Sequence, residues 1–157
     1  DPVGMVYSTF EQPLPETRMR NAAIGHGRDG SPVAGRWHTY PEMAAAGLWT
    51  TASDLARFAL EIARAWSGGG GKTVSRATAE EMLTPVLGDY GLGVFIGRNE
   101  RAWNFHHGGL NEGFECELLV YPEPGMGAVV MTNSDHPGGL AFEILRASNL
   151  GRKRHPE

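Results

Sequence analysis

From Tyr90 to Ser134 apolar residues recur at every second position, and glycine and proline interrupt the run at short intervals. Alternation of that kind specifies strands with one buried face, and the interruptions specify where the chain turns back. The stretches 91–97 (GLGVFIG), 101–107 (RAWNFHH), 114–125 (FECELLVYPEPG) and 126–134 (MGAVVMTNS) read as four strands, with Pro-Gly turns between the last two. Strands this close in sequence pair antiparallel, because a parallel pair needs a crossover of a dozen or more residues.

The flanks have other periods. In 50–66 (TTASDLARFALEIARAW) Leu55, Phe58, Ala59, Ile62 and Trp66 recur at three and four, which puts them on one helical face. Ser53 is the expected N-cap and Asp54 suits the helix dipole. SGGGG at 67–71 ends this helix. Thr78 and Glu81 have capping-box spacing before a short helix EEMLTP that Pro85 stops. Before Gly47, prolines at 13, 15, 32 and 41 and the Asp29-Gly30 turn break every pattern, so long loops with one short helical piece are expected. A last helical stretch, GGLAFEILRASNL, carries Leu140, Ile144 and Ala147 at helical spacing. The fold class is therefore α+β, an antiparallel sheet covered by helices, in one domain over 1–150. It divides into loops and helices (1–88), strands (90–135) and a closing helix (138–149). Residues 151–157 (GRKRHPE) form a basic tail, expected to be disordered and without a function.

With 41% hydrophobic and 20% charged residues, the chain can bury a core. Its net charge of -4 and scattered Lys and Arg give no basic footprint, so no nucleic-acid partner is expected. Apolar runs such as LLVY and AVVM fall far short of the roughly 20 residues of a membrane helix. No stretch resembles a signal peptide, the first residue is Asp1, and the chain is expected to begin within a longer protein; its localisation is left open. Cys116, the single cysteine, excludes an internal disulfide and reads as a small strand residue.

The stretch FHHGGLNEGF (105–114) raises the question of chemistry. His106 and His107 on one strand point to opposite faces and cannot both hold one ion. His136 beside Asp135 is a further candidate, but without a recognised ligand spacing no metal site is expected. For His107 alone, spacing leaves open a half-buried histidine with a satisfied ring nitrogen. GGGGKT at 68–73 lacks the first glycine of a phosphate loop, because Trp66 occupies that position, and no strand precedes it. No serine is followed at the third position by lysine, and there is no G-x-S-x-G elbow. The only lysines are Lys72 and Lys153.

The ordered phrases DPVGMVYSTFEQPLP, YPEMAAAGLWTTASDLARFALEI, TAEEMLTP, YGLGVFI and FHHGGLNEGFECELLVYPEPGMGAVVMTNSD, with the closing helix, resemble the C-terminal portion of serine β-lactamase-related hydrolases. That group includes class C β-lactamases, D,D-peptidases and esterases, and the resemblance runs from about residue 1 to about residue 148. It implies a partial β-lactamase/transpeptidase-like fold without the N-terminal strands of the full fold. Of the family's three motifs, Ser-x-x-Lys, Tyr-x-Asn and Lys-Thr-Gly or His-x-Gly, the chain matches the last, as His107-Gly108-Gly109. Tyr7, Tyr40, Tyr90 and Tyr121 are followed two positions on by Thr9, Glu42, Leu92 and Glu123, so Tyr-x-Asn is missing.

The resemblance implies that His107 faces the cleft to meet a substrate carboxylate or polarise the tyrosine hydroxyl. Gly109 would let substrate lie against the strand, and the Leu110 N–H would be one oxyanion donor. Gly108 and Asn111 would join His107 in binding substrate. No cofactor is implied. The chain would need a missing N-terminal half, or a second copy, pairing at the 126–132 strand edge, and would be inactive alone. The rival expectation is a non-catalytic binding module that takes ligands by strand addition beside His107.

Overall fold

The computed structural model describes residues 2–98, 102–135 and 139–148. Position 136 and the basic tail, for which a ligand role and disorder were considered, lie outside the described residues. The elements run α1 (Glu16–Met19), α2 (Met43–Ala46), α3 (Ala52–Trp66), α4 (Arg76–Met82), β1 (Phe95–Arg98), β2 (Trp103–Asn111), β3 (Phe114–Tyr121), β4 (Met126–Thr132) and α5 (Leu140–Ala147). The region before Gly47 thus holds two single-turn helices where one was expected.

The four strands form one antiparallel sheet in the order β1-β2-β3-β4. The stretch FHHGGLNEGF is mostly strand. Asn111 pairs with Phe114, which leaves Glu112 and Gly113 as a two-residue turn. Gly113 supplies the positive φ, 80°, that such a tight reversal needs. The second hairpin closes through the Gly125 N–H donating to Pro122 O at 3.2 Å, the Pro-Gly turn that the sequence marks.

Alternation along the strands sorts their side chains onto two faces. One face carries Phe105, Leu118, Val120 and Val129, and α3 lays Ala59, Ile62 and Trp66 on it. Phe105 and Ile62 are 0% exposed, and burying each contributes about 1.5–3 kcal/mol. Trp66 meets Trp103 edge-on at 4.7 Å and closes the end of this core. On the other face α5 packs on β3 and β4, where the Ala141 N–H donates to the Glu115 carboxylate at 3.4 Å.

The caps differ from those expected. Thr51, not Ser53, caps α3 and accepts the Asp54 N–H at 3.2 Å, because the helix begins one residue after it, at Ala52. Ser75, not Thr78, caps α4; the Thr78 N–H donates to its Oγ at 3.0 Å. In both cases the hydroxyl that counts lies three residues before the amide it receives.

Asp54, 0% exposed, does more than favour a dipole. Its carboxylate accepts the Tyr7 N–H at 2.8 Å and the Ser8 hydroxyl at 2.9 Å, and pairs with Arg57. Thr9 and Trp49 exchange backbone hydrogen bonds of 2.9 Å each way, so the segment 7–9 is strapped across the start of α3. Burial raises the Asp54 pKa, and the Ser8, Tyr7 and Arg57 contacts together outweigh it and hold the carboxyl below the ordinary aspartate value.

Candidate functional site

β2 is nine residues long, but β1 pairs with only its first part, Trp103 to His106. From His107 to Asn111 the edge of β2 on that side has no strand partner among the described residues. Backbone donors and acceptors there are open to an extended ligand. β3 supports the same five positions from the other side, pairing His107 with Leu118, Gly108 with Glu117, Gly109 with Cys116 and Leu110 with Glu115.

The alternation puts His107, Gly109 and Asn111 on the α3 face of the sheet and His106, Gly108 and Leu110 on the α5 face. His107 is exposed rather than half-buried, and its ring has no hydrogen-bond partner among the described residues. Its nearest described ring is Phe95, 6.1 Å away and tilted. His106 is the half-buried one, stacked on Phe95 at 5.5 Å. Burial lowers its pKa against the opposing field of Asp89, and the neighbouring His107 lowers it further.

The two glycines have reasons of their own within the sheet. A Cβ on Gly109 would sit 2.8 Å from Cys116 Sγ, and one on Gly108 would sit 2.6 Å from Glu117 Oε1. Leu110 is 66% exposed. The Cys116 pKa is raised, first by burial and then by Glu117 and Glu115, so the thiol stays protonated beside Gly109. Burial, with Glu115, likewise raises the Glu117 pKa. No group of three or more His, Cys, Asp or Glu side chains that could hold a metal ion occurs among the described residues.

Asn111 already has a partner, since its Nδ2 donates to Ala46 O at 3.0 Å and ties the end of α2 to the end of β2. The turn beyond it is held from the same segment. The Glu112 N–H donates to the Tyr40 hydroxyl at 3.0 Å, and His38 Nδ1 lies 3.2 Å from the Glu112 carboxylate. Trp49 meets Phe114 at 6.3 Å and Trp37 at 4.9 Å, both edge-on, and the Arg36 guanidinium lies 4.4 Å from the Trp37 ring centroid. No motif in the sequence marks Trp37, His38 or Trp49, and Tyr40 enters there only as a tyrosine that does not fit Tyr-x-Asn. The one signal was the density of aromatic residues in 37–49.

A family model described as Beta-lactamase matches residues 1–151. The chain belongs to the beta-lactamase family. Among solved structures, a beta-lactamase/D-alanine carboxypeptidase from Pseudomonas syringae matches 94% of the chain with a TM-score of 0.71 at 15% identity. D-alanine carboxypeptidase AmpC from Burkholderia cenocepacia matches 93% with a TM-score of 0.72 at 20% identity. At those identities the likeness is one of fold. The chain covers 50% and 52% of those two proteins, about half the length of each. No curated protein sequence matches it. The family resemblance read from the ordered phrases and the α+β class both stand.

Proposed function

We propose that the chain supplies one wall of a serine hydrolase cleft that cleaves an ester, amide or β-lactam bond through an acyl-enzyme. The observation that carries this reading is the unpaired β2 edge over 107–111, with an exposed histidine and two residues lacking side chains, in a member of the beta-lactamase family. The names of the two solved relatives favour an amide or β-lactam substrate.

In this reading substrate lies along the open edge, and Gly109 keeps the approach clear. The scissile carbonyl oxygen accepts a hydrogen bond from the Leu110 N–H and a second from the backbone of the attacking serine. Donors fixed in place before reaction stabilise charge as it develops on that oxygen. The serine attacks the carbonyl carbon, the leaving group departs with a proton, and water then releases the acyl group. His107 holds a substrate carboxylate or polarises a tyrosine hydroxyl near the nucleophile. Gly108 completes the wall, and the Asn111 amide holds the end of the edge against Ala46.

None of the chain's serines has a lysine at the third position, so the nucleophile comes from outside these 157 residues and the chain alone is inactive. The partner that brings it, a missing half or a second copy, pairs at the β4 edge. β4 is the outer strand, and Met126 and Met131 on it are 43% and 39% exposed. The same open β2 edge also suits a binding module that adds a ligand strand without cleaving it. A fluorophosphonate serine probe separates the two. It should label a protein in which this chain is joined to a Ser-x-x-Lys half and leave the isolated chain unlabelled. Labelling of the isolated chain would overturn the assignment of the missing nucleophile, and an unlabelled joined protein that still binds ligand would establish the module.

A further inference from the structure

α3 lays Ala59, Ile62 and Trp66 on the sheet and carries Arg57, Leu60, Glu61 and Arg64, three and four apart, on a neighbouring face. The glycine-rich loop after α3 folds back beside that face. Glu61 Oε1 holds it there by accepting the Thr73 N–H at 2.6 Å, the Thr73 hydroxyl at 3.0 Å and the Val74 N–H at 3.3 Å. Lys72 is thereby brought to the same place as Arg57 and Arg64. The N-terminal segment closes the third side. The Tyr7 N–H and the Ser8 hydroxyl tie it to Asp54, and a Cβ on Gly4 would stand 3.8 Å from Arg57 Cδ. Val3, Arg57, Leu60, Glu61, Arg64 and Lys72 together line a cavity of about 120 Å³. That is several times the roughly 30 Å³ that a water takes in the liquid.

The charge of this cavity runs against that of the chain. Asp and Glu outnumber Lys and Arg 18 to 14, yet three of the six lining residues are cations. Arg57 pairs with the buried Asp54, whereas Arg64 and Lys72 form no ion pair with a described residue. Glu61, the one carboxylate in the lining, has an oxygen filled by the donors of its own loop. Gathering three like charges costs Coulomb energy, which a bound anion offsets. We propose that Arg57, Arg64 and Lys72 form a binding site for a phosphate group. Guanidinium and ammonium donors suit its several oxygens. The GGGGKT stretch takes part without being a phosphate loop: its Thr73 and Val74 amides are engaged by Glu61, so side chains hold the anion. The site shares no residue with the 107–111 edge and does not depend on the hydrolase reading.

The test is urea denaturation of the whole chain at neutral pH, with sodium phosphate or with sodium chloride of the same ionic strength, beside an NMR titration with phosphate. Phosphate should raise the midpoint saturably and chloride should not, because a ligand that binds only the folded state stabilises it. Arg64→Gln and Lys72→Gln should each weaken phosphate binding roughly tenfold, the loss of one charge-assisted contact. Arg20→Gln removes the same charge outside the cavity and should leave binding unchanged. Vesicles of phosphatidylglycerol and, separately, of phosphatidylcholine distinguish the source of the phosphate. Saturable binding of free phosphate assigns a soluble ligand. Flotation with phosphatidylglycerol alone, lost in Arg64→Gln and Lys72→Gln, assigns a lipid headgroup. Binding that survives in both of those variants, or falls equally in Arg20→Gln, would overturn the site. So would a loss of stability in both variants with no binding of phosphate or vesicles by the native chain, since the two cations would then only balance Glu61. Absence of binding by itself has the same force.

Discussion

At the scale of single residues, the site depends on glycines for different reasons. Gly113 needs its conformation: φ is 80°, and a Cβ there would approach the Val33 side chain at 2.7 Å and the Gly25 backbone at 2.8 Å. Gly113→Ala should therefore lower stability by at least about 1 kcal/mol, the cost of the left-handed region for a residue with a Cβ, as measured by urea denaturation. Gly108 and Gly109 are in regular strand and carry no such strain. Their neighbours are the movable ends of Glu117 and Cys116, which can give way to a methyl group more easily than backbone can. His107 shows the limit of reading from sequence. Alternation correctly separates it from His106, but it does not say which of the two is covered. That depends on Phe95, whose ring stacks on His106 while His107 stays in the open.

At the scale of elements, the helices are held less by their own caps than by carboxylates buried beneath loops. Glu61, 5% exposed, accepts the Thr73 N–H at 2.6 Å and the Val74 N–H at 3.3 Å and so ends the glycine-rich loop after α3. Those amides, the Thr73 N–H first, outweigh burial and lower the Glu61 pKa. Asp54 does the same for the strap over 7–9. Because its folded pKa lies below the ordinary value of 3.8, its stabilisation is complete above that pH and is lost as pH falls through the folded value. Asp54→Asn should be less stable than the native chain at pH 7, and the gap should close in acid below about pH 4. Urea denaturation at both pH values checks this, and a gap independent of pH would refute it. The helix period predicts that Asp54 sits near the start of α3. That its carboxylate receives Tyr7 and Ser8, separated from it by more than forty residues, has no trace in local pattern.

At the scale of the whole molecule, the sheet formed by the described residues ends at β4, an apolar outer strand. Exposed apolar residues continue onto α5, where Leu140, Phe142 and Ile144 are 47%, 54% and 43% exposed. An unpaired edge of that character is a template for another strand. The isolated chain should self-associate at high concentration, and Met131→Lys, which places a charge on the exposed part of β4, should shift it toward monomer. Light scattering after size exclusion reads both. A native chain that stays monomeric at high concentration would count against pairing at this edge.

The sequence by itself determined the α+β class, the four strands and their turns, the amphipathic α3 and the family. Each of these rests on periodicity, punctuation or ordered phrases, which are properties of neighbours in the chain. Tertiary structure alone decided that half of the β2 edge is open, that His107 rather than His106 is exposed, and that Asn111 is tied to Ala46. It also decided that Trp37, Tyr40 and Trp49, from a stretch with no periodic signal, gather at the end of that edge. Those outcomes come from contacts between segments distant in sequence, where the side chain that covers a residue, or leaves it bare, is set by packing.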